Sequence, residues 1–185
     1  MTEFPLQTSE TADPAAARIL ETAEKQNGFV PNLFATLANA PVALEAYTTL
    51  AGVIGKRSTL TPTEQQVAFI SLSLENGCDY CVAAHSTIGA SQNVPEDVLD
   101  AVREQRPLPD DRLEAVRALS LSLLRKRGWL DEADLEAFEA AGFERAQALE
   151  IVTFLALKTI SNYTNHLADT PLDAAFEPRR YERVA

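Results

Sequence analysis

The chain has 185 residues, of which 46% are hydrophobic and 23% charged, a balance typical of a soluble globular protein with a single core. Its net charge of −11 argues against binding to nucleic acid or to an anionic membrane surface, because both need a basic face on the protein. There is no run of about 18 apolar residues, and the N-terminus has no basic segment followed by an apolar one. We therefore expect no membrane span, no signal peptide, and a cytoplasmic protein whose thiols are reduced.

Nearly every long segment has a helical pattern, and none shows the sustained period-two alternation of a strand. Asp13, followed by proline, predicts the start of the first helix, and Thr61 with Glu64 forms a capping box at the start of the fourth. The predicted helices cover residues 14–26, 31–39, 41–54, 62–75, 78–91, 95–104, 109–127, 131–141 and 144–168, with a short helix near 176–181. We predict one all-α domain over residues 13–185, preceded by a mobile segment over residues 1–12.

The chain also contains a faint internal repeat. Residues 66–85 align without gaps on residues 150–169, and the two cysteines of the first segment then lie over two asparagines of the second. This is weak evidence for an internal duplication, with pseudo-symmetric repeats at about 30–92 and 110–170. A chance resemblance between two amphipathic helices explains the alignment equally well.

The segment ENGCDYCVAAH contains both cysteines of the chain and one of its two histidines. Cys78, Cys81 and His85 are spaced i, i+3 and i+7, which places them on one face of a helix. The break at Asn76-Gly77 predicts that Cys78 starts this helix, where free N–H groups and the helix dipole favour a thiolate. In a first turn the two thiols can approach closely enough to form a disulfide, and His85 is placed to take the proton of Cys81. The pattern therefore favours a reactive dithiol.

Two other interpretations of the cysteine segment stay open. A metal site needs four ligands, and the chain offers only His166 as a fourth, with no second CxxC. Alternatively, the cysteines are two buried thiols beside a histidine whose hydrogen bonds are satisfied. We favour the dithiol because a histidine follows the CxxC at helical spacing and the pair stands at a helix start.

The stretch TPTEQQVAFISLSLENGCDYCVAAHS resembles the core motif of the carboxymuconolactone decarboxylase-like superfamily, in its alkylhydroperoxidase D-like, peroxidase-related branch. The signature of that branch is a glutamate, eleven residues, and then CxxCxxxH. The resemblance implies an all-α fold, a homo-oligomer (dimer, trimer or hexamer), and antioxidant peroxidase or thiol–disulfide oxidoreductase chemistry without metal or other cofactor. It implies that Cys81 attacks the hydroperoxide with help from His85, that Cys78 resolves, and that an external dithiol, such as a lipoyl carrier protein, is the reductant.

The sequence departs from this signature at the glutamate, where it has Gln66. A glutamine side chain takes no proton at neutral pH, so the relay of the family is interrupted. Glu64 lies two residues away, but its capping box explains it as well, and Glu75 fits an exposed helix end. Glu150 occupies the position of Gln66 in the second repeat, and a pseudo-twofold fold would bring it to the site.

The stretch KTISNYTNHLADTPLD also resembles the peroxidase-related branch, which supports a working Gln66 variant. It points to Glu150, Asn162 and His166 as candidate site members, with helix capping or helix–helix hydrogen bonding as the simpler role for Asn162. Tyr80 lies between the cysteines, where its phenol either donates to the thiolate or peroxide or only packs. The alternative to an enzyme is a non-catalytic oligomeric module that senses redox state or binds a partner.

Overall fold

The computed structural model describes residues 4–183. Over this range the chain forms nine α-helices, one short 3-10 helix and no strand, so the all-α prediction is confirmed. The elements are α1 (Pro14–Asn27), α2 (Asn32–Leu37), α3 (Pro41–Arg57), α4 (Pro62–Asn76), α5 (Asp79–Ser91), α6 (Glu96–Arg103), α7 (Asp111–Arg125), α8 (Glu132–Ala140), α9 (Gln147–Ala168) and the 3-10 helix Ala174–Arg179. Within the described residues, no helix is both long enough and apolar enough to cross a membrane.

The helix ends lie where local sequence signals predict them. The Asp13 side chain accepts a hydrogen bond from the N–H of Ala15 and caps α1. Thr61 and Glu64 form the reciprocal capping box at the start of α4. Gly77 ends α4 with a φ of +74°, a left-handed conformation that glycine adopts without strain.

Helix α4 runs through the centre of the molecule. It packs against α5, α6, α7 and α9, and its residues 66–73 are all buried. A helix without an exposed polar face has to be covered on all sides, and the apolar stretch VAFISLSL gives α4 this property. The central helix therefore brings α5, which carries the cysteines, and α9 against a common support.

The segment before α1 is hydrogen-bonded to the domain. The N–H of Gln7 donates to the carbonyl oxygen of Ala35 over 3.1 Å, and Asn39 Nδ2 donates to the carbonyl oxygen of Pro5 over 2.8 Å. These bonds attach the segment to α2 and the loop after it, and its predicted mobility stays a prediction. Residues 1–3 lie outside the described range.

The two segments of the internal alignment differ in form. The first is divided between α4 and α5 at Gly77, whereas the second is the uninterrupted helix α9 followed by Asp169. The two segments also contact each other, since α9 packs against both α4 and α5. The internal duplication stays a prediction, and the contact between the two segments is what shapes the site.

Candidate active site

The two cysteines lie side by side at the start of α5. Cys78 is the N-cap residue and Cys81 stands in the first turn, both free and each only 2% exposed. The amide of Asn165 on α9 reaches both sulfur atoms, with Nδ2 at 3.6 Å from Cys78 Sγ and 3.3 Å from Cys81 Sγ. The predicted helix start thus agrees with the structure to within one residue, and one side chain of α9 bridges the thiols.

A chain of hydrogen bonds runs beside the thiols from α9 to the end of α5. Lys158 Nζ lies 2.8 Å from His85 Nε2, His85 Nδ1 lies 2.9 Å from Gln66 Oε1, and Gln66 Nε2 donates to Gln92 Oε1 over 3.0 Å. A lysine ammonium only donates, so His85 Nε2 accepts and its Nδ1 carries the proton. The Gln66 carbonyl then accepts that N–H. The donor and acceptor of each of the three hydrogen bonds are thus determined by the Lys158 ammonium, which can only donate.

The charges of these groups set the protonation of the dithiol. Burial raises the pKa of the Cys81 thiol, but the hydrogen bond from Cys78 and the charge of Lys158 outweigh burial and lower the pKa from 9.0 to about 5. The hydrogen bond to Cys81, together with burial, raises the pKa of Cys78. Burial and then the charge of Lys158 hold the pKa of His85 well below 6.5. The directions of these shifts favour a Cys81 thiolate, a Cys78 thiol and a neutral imidazole at neutral pH.

Cys81 lines a pocket of about 550 Å³. His85, Lys158 and Gln66 are among the polar residues of its wall, and most of the exposed lining is apolar. Six aromatic side chains contribute to the lining: Phe29, Phe34, Tyr47, Phe69, Tyr80 and Phe176. Burial and then the nearby cysteines raise the pKa of Tyr47, so its hydroxyl stays protonated and can donate to a bound molecule. The thiolate thus faces a space suited to an apolar or aromatic ligand with one polar end.

Cys78 lines a different cavity, a groove of about 470 Å³ beside the C-terminal end of α9. His166 lies exposed in the wall of this groove, and Tyr80 lines both the groove and the pocket. Among residues 4–183, no cluster of three or more His, Cys, Asp or Glu side chains has the geometry to hold a metal ion. The structure therefore brings His166 to the Cys78 side of the dithiol.

The comparisons with known proteins agree with this architecture. The model of the carboxymuconolactone decarboxylase family matches residues 41–121, which include α4 and the cysteine segment. An alkylhydroperoxidase AhpD core structure, a peroxidase-related protein from Ralstonia eutropha JMP134, superposes with a TM-score of 0.84 at 25% identity over 94% of this chain and 93% of that chain. The family match and this superposition both support the resemblance of the chain to the carboxymuconolactone decarboxylase-like superfamily. The fold of the chain is that of the alkylhydroperoxidase D core.

Further members of the same fold are more distant in sequence. A peroxidase-related protein from Silicibacter sp. TM1040 superposes with a TM-score of 0.80 at 20% identity, covering 96% of this chain and 94% of that chain. A cysteine-to-alanine variant of the debrominase Bmp8, in complex with 2,3,4-tribromopyrrole, gives 0.78 at 21% identity, covering 97% and 95%. The search of curated proteins gives no significant match.

Neither acidic residue considered as a substitute for the relay glutamate of the superfamily reaches the dithiol. The Glu64 carboxylate accepts from the Thr61 backbone over 2.7 Å and pairs with Arg112 at 3.0 Å. The Glu150 carboxylate accepts from the hydroxyls of Ser58 and Thr59, each over 2.6 Å, and ties the α3–α4 loop to α9. Both carboxylates are therefore engaged at the other end of α4 by groups that fix helix ends.

Glu75 and Asn162 also have structural partners. Glu75 pairs with Arg125 on α7 at 2.7 Å near the surface, which agrees with a role at a helix end. Asn162 Oδ1 accepts from Asn76 Nδ2 over 2.9 Å, so Asn162 ties α9 to the last turn of α4. Asn162 thus has the predicted helix–helix contact, and its side chain also hydrogen-bonds Cys81, which helps to lower the pKa of that thiol.

The phenol of Tyr80 secures the C-terminal segment instead of pointing at a thiol. It donates to Asp173 Oδ2 over 2.5 Å and accepts from the N–H of Leu33 over 3.2 Å. Phe176 packs edge-on against the Tyr80 ring, with centroids 5.9 Å apart, and closes one wall of the pocket. The structure favours the packing interpretation of Tyr80, with the added effect that it holds the pocket wall in place.

Sequence reasoning missed two residues of the site, Lys158 and Tyr47, and favoured a capping or helix–helix role for Asn165. Lys158 is fully buried and supplies the cation that acts on Cys81, a role that the sequence had assigned to a base. The sequence did contain a signal that Lys158 is buried. Lys158 follows Ile151 and Phe154 at the helical spacing of the buried face of α9. Tyr47 gave no such signal, since a tyrosine in an apolar helix is ordinarily read as packing.

The protonation assigned to Cys81 predicts a low midpoint for its alkylation by iodoacetamide. In a C78S variant, the serine hydroxyl can still donate to Cys81, and Cys81 is then the single thiol. Because the folded pKa is about 5, the rate is expected to rise through pH 5 and to be flat above about pH 6. The matched C81S variant leaves Cys78, which should react only at alkaline pH. A midpoint near 9 in C78S would contradict the assignment.

Proposed function

We propose that the protein is a CxxC-dependent peroxidase that reduces apolar organic hydroperoxides with its own dithiol. The observation that supports this best is a thiolate-forming cysteine, Cys81, which lines an apolar pocket while a protonated thiol, Cys78, stands next to it. A nucleophile and a resolving thiol with separated pKa values are what a two-electron reduction of a peroxide needs.

The proposed reaction has two steps. The Cys81 thiolate attacks the terminal peroxide oxygen, the O–O bond breaks, and the alkoxide leaves and takes up a proton as an alcohol. Cys81 is then a sulfenic acid, whose sulfur is attacked by Cys78, so that the disulfide forms and water leaves with the proton of Cys78. In sum, one hydroperoxide and two thiols give one alcohol, one water and one disulfide. An external thiol or dithiol restores the reduced enzyme.

Lys158 and Tyr47 have defined parts in this scheme. The buried ammonium of Lys158 stabilises the attacking thiolate. The protonated hydroxyl of Tyr47 lines the same pocket and can donate to the leaving oxygen. His85 and Gln66 orient Lys158 through their hydrogen bonds, so no carboxylate is needed for these steps.

The aromatic lining of the pocket supports a second candidate, the reductive removal of halogen from a halogenated aromatic ring. The same dithiol supplies the two electrons, since an aryl halide and two thiols give an arene, a hydrogen halide and a disulfide. Six aromatic side chains around the thiolate suit a flat ring. The debrominase Bmp8, whose variant binds 2,3,4-tribromopyrrole, has the same fold.

A substrate panel tests the proposed function and separates the candidates. Cumene hydroperoxide, hydrogen peroxide and 2,3,4-tribromopyrrole are each offered with dithiothreitol, and peroxide consumption and bromide release are measured. We expect kcat/KM for cumene hydroperoxide to exceed that for hydrogen peroxide by about tenfold or more, because burying the phenyl group stabilises the transition state. Bromide release without peroxide consumption would select the second candidate. No turnover above the dithiothreitol background with any of the three would favour the non-catalytic module instead.

A further inference from the structure

The two thiols of the dithiol open into different cavities. Cys81 lines the aromatic pocket and is not part of the groove, whereas Cys78 lines the groove and is not part of the pocket. Tyr80, which stands between them in sequence, contributes to both walls and separates the two spaces. An oxidising substrate and a reductant can therefore reach the same dithiol without passing through the same opening.

The groove has the features of a site for a polar ligand. In residues 4–183, five buried side-chain atoms have no hydrogen-bond partner, and three of them belong to residues that line the groove. Asp79 Oδ1 is one of these, but it lies 3.8 Å from the guanidinium of Arg183, which leaves Asn165 Oδ1 and Thr170 Oγ1 without any polar partner. Asn165 is only 5% exposed, and its Nδ2 contacts both sulfur atoms. Buried polar groups in native proteins nearly always have a partner, so their concentration beside Cys78 indicates polar groups of a ligand.

The chemistry of the disulfide also distinguishes its two sulfur atoms. When a thiolate attacks one sulfur of a disulfide, the other sulfur leaves as a thiolate, and the better-stabilised thiolate leaves faster. Lys158 lines the pocket on the Cys81 side and stabilises negative charge on that sulfur. Attack at Cys78, with Cys81 as leaving group, is therefore the favoured direction.

Building on the proposed peroxidase function, we propose that the groove over Cys78 is the reductant site, which takes a slender polar thiol. The reductant thiolate attacks Cys78 Sγ, the Cys78–Cys81 bond breaks, and Cys81 leaves as the thiolate. A second thiol, from the same dithiol or from another molecule, attacks the mixed disulfide and releases Cys78, which takes up a proton. Cys78 is only 2% exposed, so a small thiol or one on a flexible arm fits, and a cysteine on a broad protein surface does not.

The first test locates the mixed disulfide. Diamide forms the Cys78–Cys81 disulfide without any peroxide, so the experiment does not depend on the peroxidase reaction. Excess glutathione is added, the mixture is quenched in acid within milliseconds to seconds, and free thiols are alkylated. Peptide fragmentation between the cysteines is expected to show glutathione on Cys78 and the alkyl group on Cys81. Glutathione on Cys81, an even distribution over both, or failure of diamide to form the disulfide would each overturn the proposal.

The second test blocks each opening separately. His166→Trp adds bulk at the wall of the groove, and Gly55→Trp adds bulk at the pocket, where a side chain at Gly55 meets no atom within 4 Å. We expect His166→Trp to slow the reduction of the diamide-formed disulfide by glutathione about tenfold and to leave single-turnover oxidation by cumene hydroperoxide unchanged. Gly55→Trp should slow oxidation by cumene hydroperoxide and leave the reduction of the disulfide by glutathione unchanged.

The outcomes of the blocking test separate the inference from the proposed function. If both variants slow the same half-reaction, or if His166→Trp leaves the reduction rate unchanged, a separate reductant site is excluded. If cumene hydroperoxide oxidises none of the proteins, the peroxidase proposal fails, while the reduction half-reaction still reports on the groove.

Discussion

A C81S variant is expected to lose the peroxidase reaction, with kcat/KM for cumene hydroperoxide lower by about 10³-fold or more. Cys81 is the sulfur that lines the substrate pocket and that Lys158 stabilises as a thiolate. A serine hydroxyl in its place stays protonated at neutral pH and does not attack a peroxide. The measurement is the consumption of cumene hydroperoxide with dithiothreitol as reductant, at protein concentrations high enough for the low rate of the C81S variant to be measured.

The matched C78S variant distinguishes the two roles. It keeps the attacking thiolate, so a single turnover with peroxide should proceed, but the sulfenic acid on Cys81 has no partner and accumulates. Dimedone should label C78S after peroxide treatment, and C81S should stay unlabelled. If C81S consumes peroxide as fast as the unmodified protein, or if dimedone labels Cys78 instead, the assignment of the attacking thiol is wrong.

The helices and the dithiol could be predicted because their signals are local. Capping residues, the glycine at position 77 and the i, i+3 spacing of the cysteines each act within one or two turns, and the structure places α4 and α5 accordingly. The position of the cation, Lys158, is not determined by such local signals. Lys158 lies 73 residues from its partner His85 along the chain, and only the packing of α9 against α4 and α5 joins them.

The acids that the sequence suggested in place of the usual glutamate are held elsewhere by their own hydrogen bonds. Glu64 pairs with Arg112, and Glu150 accepts from Ser58 and Thr59. In the structure the charged group that acts on Cys81 is a cation, Lys158, and Gln66 is a neutral amide in its chain of hydrogen bonds. Gln66 accepts from His85 with its carbonyl and donates to Gln92 with its NH₂ group, which continues the chain of bonds that Lys158 starts.

This view of Gln66 also accounts for the position of His85. Both ring nitrogens are used, one by Lys158 and one by Gln66, and the ring packs against Phe69 with centroids 4.8 Å apart. No hydrogen bond joins His85 to Cys81 within residues 4–183. In this arrangement His85 positions Lys158, and the transfer of the Cys81 proton to His85, directly or through one water, stays a prediction.

Replacing Lys158 by methionine is expected to move the pH dependence of the reaction more than its maximum rate. Without the cation, the pKa of Cys81 should rise from about 5 toward the ordinary value of 9.0. At pH 6 the second-order rate with cumene hydroperoxide should fall on the order of tenfold, because the loss of thiolate exceeds the gain in nucleophilicity of a more basic sulfur. Above pH 9 the variant should match or exceed the unmodified protein, so that the two pH–rate profiles cross.

Crossing profiles distinguish a charge effect from a loss of structure. Methionine fills a similar volume, and exchanging a buried charge for an apolar side chain is often neutral for stability, so Lys158→Met should fold, as a thermal melt can verify. Lys158→Arg keeps the charge and should return the midpoint part of the way. Arg18→Met, on the exposed surface of α1 and not among the residues that line the pocket, removes one positive charge and should leave the profile unchanged. A Lys158→Met profile that falls by the same factor at every pH, with its midpoint still near 5, would show that Lys158 only maintains the packing of α9 and does not set the protonation of Cys81.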